Sequence, residues 1–332
     1  MTRLSALDLA PIRRGGDAAE AFRSTRERAQ RVEQLGFHRF WLAEHHNMPG
    51  VGSSATAVLI GDIAGATQTL RVGSGGVMLP NHAPLVVAEQ FGTLASLYPG
   101  RIDLGLGRAP GTDPQTIRAL RRDRSGGPER FPQDVQELQY WFRSAEPGQP
   151  VRAVPGAGLD VPIWILGSST SSAQLAAALG LPYAFASHFA PGQLVEALDI
   201  YRARFQPSGQ LDRPYAMVVM NVLAADTDAD AAYHFTSAQQ QFCEVLRGSP
   251  GPLPPPVEDM NRVWTPRERA AVAEALRCSA VGGAATVRRD MQAFIDSTGA
   301  DELMIHTLAY DPDVALRSFG IVADELAQSL YA

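Results

Sequence analysis

The side chains best suited to chemistry in this 332-residue sequence stand just after its predicted β-strands. Imidazole and guanidinium groups can exchange protons, donate hydrogen bonds or neutralise anions. Five of the seven histidines and one arginine stand at such strand ends: His45, His46, His82, His188, His306 and Arg108. Because parallel strands of a barrel bring their carboxyl ends to one face, we expect these groups to surround a single polar mouth.

A run of hydroxyl side chains opens the helix that follows the predicted strand Pro162–Leu166. The run comprises Ser168, Ser169, Thr170, Ser171 and Ser172. One capping side chain is enough for a helix N-terminus, so five hydroxyls exceed that need. Unpaired N–H groups and the helix dipole bind anions there, which predicts a phosphate site to which Arg108 would donate charged hydrogen bonds. Ordinary capping by the serines and a structural ion pair for Arg108 are the alternatives.

The elements that must position these groups alternate between strand and helix. Eight strands are predicted: Leu4–Leu9, Phe37–Leu42, Leu70–Val77, Arg101–Gly107, Pro162–Leu166, Tyr183–Ala186, Ala216–Ala224 and Leu303–Thr307. Each precedes at least one helix, which is typical of a single (β/α)8 TIM barrel, and we expect one such domain over residues 1–332.

The chain is longer than the roughly 250 residues of a typical barrel of this kind. The excess predicts insertions after the fourth and seventh strands, at Arg108–Pro132 and Gly248–Pro266. The second insertion is rich in proline and is either a lid over the mouth or a plain surface connection.

The composition excludes several classes of protein. All 29 basic residues are arginine, so enzymes that need a lysine amine, such as pyridoxal phosphate enzymes and Walker-type nucleotide hydrolases, are excluded. The formal charge of -6 argues against a nucleic-acid partner. No apolar run approaches the roughly 18 residues of a membrane helix, and the two cysteines give no disulfide framework. We expect a cytoplasmic protein that binds a small-molecule substrate and no membrane.

Two other motifs carry less weight. His45 and His46 are adjacent, and neighbouring side chains of an extended chain point to opposite sides, so we expect no metal site there. The segment Gly105–Pro110 nearly matches the dinucleotide fingerprint G-x-G-x-x-G, but Pro110 stands in place of the last glycine. A Rossmann-type site is therefore not predicted.

Three segments taken together resemble the bacterial luciferase-like flavin monooxygenases: Trp41–His46, Val72–Pro80 and Gly100–Arg108. Their order and spacing match that family, and the resemblance extends over nearly the whole chain. The form of Arg108–Asp113 and the proline-rich insertion are similar to a subgroup that tailors bacterial aromatic polyketides in antibiotic biosynthesis.

The resemblance implies an FMNH2-dependent monooxygenase of a two-component system, in which a separate flavin reductase supplies the reduced FMN. O2 would form a flavin C4a-peroxide that oxygenates a small organic substrate, such as an aromatic polyketide intermediate, by epoxidation or hydroxylation. Relatives often dimerise through the second helix, so a homodimer is expected. An F420-dependent oxidoreductase of the same fold and a non-catalytic flavin-binding protein are the alternatives.

The resemblance also assigns residues by position. His45 would be the catalytic base beside the isoalloxazine, and His188 would line the substrate cavity. Relatives have a non-proline cis peptide against the flavin where this chain has Gly75–Gly76. The cofactor-binding positions are Ser74, Gly75, Gly76, Arg108, Ser168, Ser169 and Ser172. Luciferase proper has alanines at the glycine pair and a reactive cysteine at Gly107, so light emission from an aldehyde is not expected.

Overall fold

A computed structural model describes residues 2–109, 113–120 and 128–328. These residues contain ten strands: β1 (Arg3–Asp8), β2 (Arg39–Leu42), β3 (Arg71–Ser74), β4 (Val77–Met78), β5 (Ile102–Gly107), β6 (Ile163–Gly167), β7 (Tyr183–Phe185), β8 (Ala216–Ala224), β9 (Ser279–Gly282) and β10 (Glu302–His306). Eight parallel strands close a barrel in the order β1, β2, β3, β5, β6, β7, β8 and β10, with β10 pairing back onto β1. The predicted (β/α)8 barrel is confirmed.

The two remaining strands extend the barrel wall. The short β4 continues the line of β3 along β5, and β9 pairs with the far half of β8. All eight predicted strands are present, with bounds that shift by one or two residues, except that the third splits into β3 and β4 around Gly75–Gly76.

Helices surround the barrel, and local sequence explains several of their ends. In the described residues they are α1 (Ala18–Gln34), α2 (Thr56–Ala66), α3 (Pro84–Leu97), α4 (Pro114–Leu120), α5 (Phe131–Phe142), α6 (Thr170–Leu179), α7 (Leu194–Arg204), α8 (Asp228–Leu246), α9 (Pro266–Ala275), α10 (Ala284–Thr298) and α11 (Pro312–Gln328). Asp17 caps α1 by accepting the N–H of Glu20, and Gly180 ends α6 at a φ of 64°. None of these helices is both long and apolar enough to cross a membrane.

The proline-rich segment lies on the side of the barrel that carries the strand C-termini. The N–H of Leu253 donates to the carbonyl of Ile12, and the N–H of Arg14 donates to the carbonyl of Leu253, both at 2.8 Å. Leu253 is fully buried, so this segment packs against the loop after β1. Of the predicted insertion Arg108–Pro132, residues 110–112 and 121–127 lie outside the described residues.

Charged side chains fill the opposite, N-terminal end of the barrel interior. Asp103 and Glu302 are fully buried, and Arg39 donates to both, at 2.6 Å and 3.0 Å. Arg71 adds a second ion pair to Asp103 at 2.5 Å, and the hydroxyl of Tyr215 donates to Glu302 at 2.8 Å. Each buried charge therefore has an opposite charge in contact with it.

Candidate active site

The strand register brings the predicted site residues to one half of the mouth. Leu42 pairs with Ser74, Met78 with Gly107, and Gly107 with Leu166. Because neighbouring strands lie about 4.8 Å apart, the segments that leave these residues start side by side. Those segments carry, in order around the mouth, His45, Gly75–Gly76, Arg108 and Ser168.

The peptide between Gly75 and Gly76 is cis, as the family resemblance implies. A Cβ on Gly76 would lie 2.6 Å from the carbonyl oxygen of Gly105, and one on Gly75 would lie 2.8 Å from Cδ1 of Leu7. Ser74 is buried, and its hydroxyl donates to the carbonyl of Gly105 at 2.8 Å and accepts its N–H at 2.9 Å. Packing against the backbone of Gly105 thus requires glycine at position 76, and the hydrogen bonds of Ser74 keep it inside the wall.

The hydroxyl run forms the start of α6. Ser169 is the capping residue, with an extended backbone, and its hydroxyl accepts no hydrogen bond from the helix within the described chain. The buried hydroxyl of Ser172 instead donates to the carbonyl of Ser169 at 2.7 Å and lies 3.0 Å from the hydroxyl of Tyr183. A Cβ on Gly167 would collide with Ser172. The hydroxyl of Ser172 therefore shapes the turn, and the first N–H groups of α6 are left to face the mouth.

Arg108 is exposed directly after β5, at the strand end next to the start of α6. It makes no hydrogen bond or ion pair with any residue that the structure describes. An arginine and the open N-terminus of a helix on neighbouring strands are the chemistry of an anion site, and both bind phosphate oxygens.

Two histidines lie close together on the other side of the mouth. The rings of His188 and His306 are 5.4 Å apart, and His45 adds to the electrostatic field at His188. Asn221 of β8 joins the pair, because its amide donates to the carbonyl of His188 at 2.6 Å and its oxygen lies 3.1 Å from Nδ1 of His306. Asn221 was not predicted, although a single polar residue inside the apolar strand Ala216–Ala224 was a visible signal.

The imidazoles of His188 and His306 are held neutral at neutral pH. Burial, with the nearby His306 and His45, keeps the pKa of His188 well below its ordinary value of 6.5. Burial lowers the pKa of His306 to about 4. Nδ1 of the buried His188 has no hydrogen-bond partner among the described residues. A buried polar nitrogen without a partner is what a ligand-binding position leaves for its ligand.

A second cluster lies next to the glycine pair. The buried carboxylate of Glu44 has Oε1 2.8 Å from Nε2 of both His46 and His82, and Oε2 accepts the N–H of Met78 at 3.3 Å. Burial opposes ionisation of Glu44, but the hydrogen bonds and charges of the two histidines outweigh it and lower its pKa. The sequence prediction overlooked this cluster, although residues 44 and 46 share one side of an extended chain.

Residues 2–302 match the family described as luciferase-like monooxygenase. The chain belongs to the luciferase-like monooxygenase family. This monooxygenase is 55% identical over 320 residues to the luciferase-like monooxygenase of Escherichia coli strain K12, which covers 96% of each chain. It is 38% identical over 246 residues to the N-acetyl-S-alkylcysteine monooxygenase of Bacillus subtilis strain 168, covering 72% of each. The crystal structure of apo-MsnO8 matches with a TM-score of 0.87 at 32% identity, over 98% of this chain and 99% of that one.

More distant structures share the fold of this monooxygenase while binding different cofactors. The oxygenating constituent of 3,6-diketocamphane monooxygenase, in complex with FMN, has a TM-score of 0.72 at 18% identity over 99% and 98% of the two chains. An F420-dependent secondary alcohol dehydrogenase, with an F420–acetone adduct, has a TM-score of 0.68 at 15% identity over 98% and 99%. The family makes this chain a flavin-dependent monooxygenase. The residues around the mouth of the barrel bear on which flavin cofactor it binds.

Proposed function

We propose that this monooxygenase uses FMNH2, supplied by a separate flavin reductase. With reduced FMN bound, one atom of O2 would enter a small organic substrate, the other would leave as water, and the flavin would be released oxidised. The observation that carries the choice of FMN is the anion site, where the open start of α6 and the exposed Arg108, which has no partner among the described residues, stand on neighbouring strand ends. A terminal phosphate is the group that such a site binds.

Different residues of the mouth would bind the phosphate and the ring of FMN. The guanidinium of Arg108 and the first N–H groups of α6 bind the phosphate, with the hydroxyls of Ser168 and Ser169 as further donors. Ser172 supports the turn from below through its bond to the Ser169 carbonyl. Ser74 holds the Gly75–Gly76 peptide against β5, and this backbone is the platform for the flavin ring.

His45 is the catalytic group in this proposal. It follows β2 beside the glycine pair and lies within the electrostatic reach of His188. An imidazole at this position would accept a proton from the reacting groups and hold it near the flavin. The neutral His188 would offer its unpartnered Nδ1 to the substrate.

The substrate half of the mouth favours an uncharged polar molecule. Neutral His188 and His306 and the amide of Asn221 supply hydrogen bonds without charge. An aromatic polyketide intermediate fits this chemistry and the subgroup resemblance in residues 108–113. A thioether such as an N-acetyl-S-alkylcysteine, the substrate named for one relative, is the competing class.

Cofactor binding tests the anion site directly. We expect Arg108→Ala to weaken FMN binding by about tenfold or more, since a charged hydrogen bond contributes roughly 1.5–3 kcal/mol, while riboflavin binding stays unchanged. Arg289→Ala, which alters an exposed arginine of α10, is the matched control. Equal losses for FMN and riboflavin would refute the phosphate role, and preferential binding of F420 would assign the protein to the deazaflavin group.

Turnover tests the role of His45. The protein is supplied with FMN, a flavin reductase, NADH and 18O2, and candidate substrates of both classes are screened by mass spectrometry. We expect incorporation of one labelled oxygen atom, and we expect His45→Ala to bind FMN but form at least 100-fold less product. Unchanged turnover of the variant would remove His45 from catalysis. Tight FMN binding with no labelled product from any substrate would favour a non-catalytic flavin-binding protein.

The proposal includes a homodimer. Val58 on α2 and Val86 and Leu97 on α3 are exposed by 72%, 45% and 63%. Exposed apolar side chains on neighbouring helices are typical of a surface that a second copy covers. Light scattering after size-exclusion chromatography should give twice the mass of one chain, and Val58→Glu should reduce it to one.

A further inference from the structure

The cluster of Glu44, His46 and His82 stands apart from the residues that the proposed monooxygenase reaction uses. Two of its members follow β2, and the third follows the turn after β4. Nε2 of each histidine and Oε1 of Glu44 lie within 4.8 Å of one another, with both nitrogen–oxygen distances at 2.8 Å. Three side chains from two segments thus bring one ligand atom each within a few ångströms of the others.

The spacing fits a metal ion after a small adjustment. Two bonds of about 2.1 Å that meet at about 90–110° place their ligand atoms about 3.0–3.4 Å apart. The two carboxylate–imidazole contacts need to open by only a few tenths of an ångström to reach that range. The rings of His46 and His82 lie with their centroids 6.4 Å apart and their planes inclined by 49°.

The residues around the cluster support a preformed metal site. Glu44 is buried, and its second oxygen accepts the N–H of Met78, which fixes the carboxylate as outer hydrogen bonds fix ligands in metal proteins. The side chains of His46 and His82 are 14% and 28% exposed, which leaves a path for an ion from solvent.

We propose that Glu44, His46 and His82 bind a divalent transition metal ion of the Zn2+ type, with one or more positions left open to water. Two imidazoles and one carboxylate suit Zn2+, Co2+ or Ni2+ better than Mg2+, which prefers oxygen ligands alone. When both imidazoles are neutral, binding moves the proton of each ring from Nε2 to Nδ1 and releases no other group. The ion would join the end of β2 to the segment after the Gly75–Gly76 peptide.

Metal titration tests this proposal without reference to monooxygenase activity. Protein without an affinity tag, stripped with chelator, is titrated with Zn2+ by calorimetry and with Co2+ by visible absorption. We expect one ion per chain and the intense visible bands of low-coordinate Co2+. We expect His82→Ala and Glu44→Gln each to weaken Zn2+ binding at least tenfold, and His234→Ala, which changes a histidine of α8, to leave it unaltered.

Two results would overturn the metal site. The first is the absence of saturable binding at one equivalent, which would leave the cluster as a hydrogen-bonded anchor for the loop. The second is unchanged affinity in His82→Ala, which would place the ion elsewhere. Circular dichroism confirms that each variant is folded, and because His82 is the most exposed of the three ligands, its replacement is the least disruptive.

Discussion

The two ends of the barrel interior hold different sets of buried polar groups. At the N-terminal end, Arg39 and Arg71 neutralise Asp103, and Arg39 also neutralises Glu302. At the C-terminal end, His188 and His306 are uncharged, and one nitrogen of His188 has no partner in the described chain. At the paired, N-terminal end each buried charge depends on its partner, whereas the C-terminal end keeps hydrogen-bonding capacity for a ligand at His188.

The pKa directions express the same contrast. Burial opposes ionisation of Asp103, but Arg39 and Arg71 outweigh it, and the pKa of the carboxyl is lowered. At His306, burial dominates and lowers the pKa, which removes the charge at neutral pH. In the low dielectric of the interior, Asp103 therefore stays charged because two arginines contact it. His306 is neutral because burial outweighs the effect of the charges near it.

Removal of a charge at the paired end should have the largest effect on stability. Asp103→Ala leaves two arginines without their partner, and we expect a loss of about 3–5 kcal/mol in the free energy of unfolding. Urea denaturation measures the loss, and FMN affinity of the folded fraction should be unchanged. If this variant does not fold, Arg71→Ala, whose side chain is 22% exposed, should show a smaller loss of the same sign. A loss under about 1 kcal/mol for Asp103→Ala would contradict the assignment of stability to this end.

As the pH is lowered, His306 and Asp103 should reduce the stability of the protein over different pH ranges. The pKa of His306 is lowered from 6.5 to about 4, so between these values the unfolded state binds more protons, and stability falls as the pH falls. We expect His306 to account for about 2–3 kcal/mol over this window, and His306→Asn to flatten the curve of unfolding free energy against pH. The contribution of Asp103 is present above its unfolded pKa and is lost only below it, as the pH falls through its lowered folded pKa.

One control is needed for this pH experiment, because His38 near the N-terminal end also has a pKa lowered to about 4, by burial and then by Arg39. His38→Asn should remove a comparable share of the slope without changing FMN binding. A curve that neither variant alters would show that these histidines do not govern the acid loss of stability.

Replacement of the glycine pair should cause an intermediate effect that differs between its members. At Gly76 a methyl group meets the backbone of Gly105, which cannot move away, so we expect Gly76→Ala to cost about 1–3 kcal/mol. At Gly75 it meets the end of the flexible Leu7 side chain, and the cost should be smaller. Thermal unfolding compares the two variants directly. A larger loss of stability for Gly75→Ala than for Gly76→Ala would show that the backbone at Gly105 moves more easily than the side chain of Leu7.

The smallest effect on stability is expected at the C-terminal end. His188→Phe removes a buried nitrogen that has no partner among the described residues, and it keeps an aromatic ring. The free energy of unfolding should therefore change by less than about 1 kcal/mol, and we expect the change to be a gain. Product formation should nevertheless fall at least tenfold. A large loss of stability would show that His188 has a structural role comparable to that of Asp103.

The predicted strands that precede the candidate site residues agree with the structure because strand periodicity is a local property. Where the prediction was incomplete, contacts between distant segments decided the outcome. The hydroxyl of Ser172, a predicted cofactor-binding group, donates to the carbonyl of Ser169 and lies 3.0 Å from the hydroxyl of Tyr183. The helices α9 and α10 and the strand β9 were not anticipated, and α10 buries only Val287, Met291 and Thr298.

The sequence by itself determined the eight-stranded barrel, the face that carries the reactive groups and the membership of a flavin-dependent family. Each of these follows from short-range patterns and motif order within single segments. Only the tertiary structure decided which groups are partners: Glu44 meets His82 across 38 residues, and Arg39 meets Glu302 across 263. Such pairs have no local signature, because closure of the barrel, and not spacing along the chain, brings them within hydrogen-bond distance.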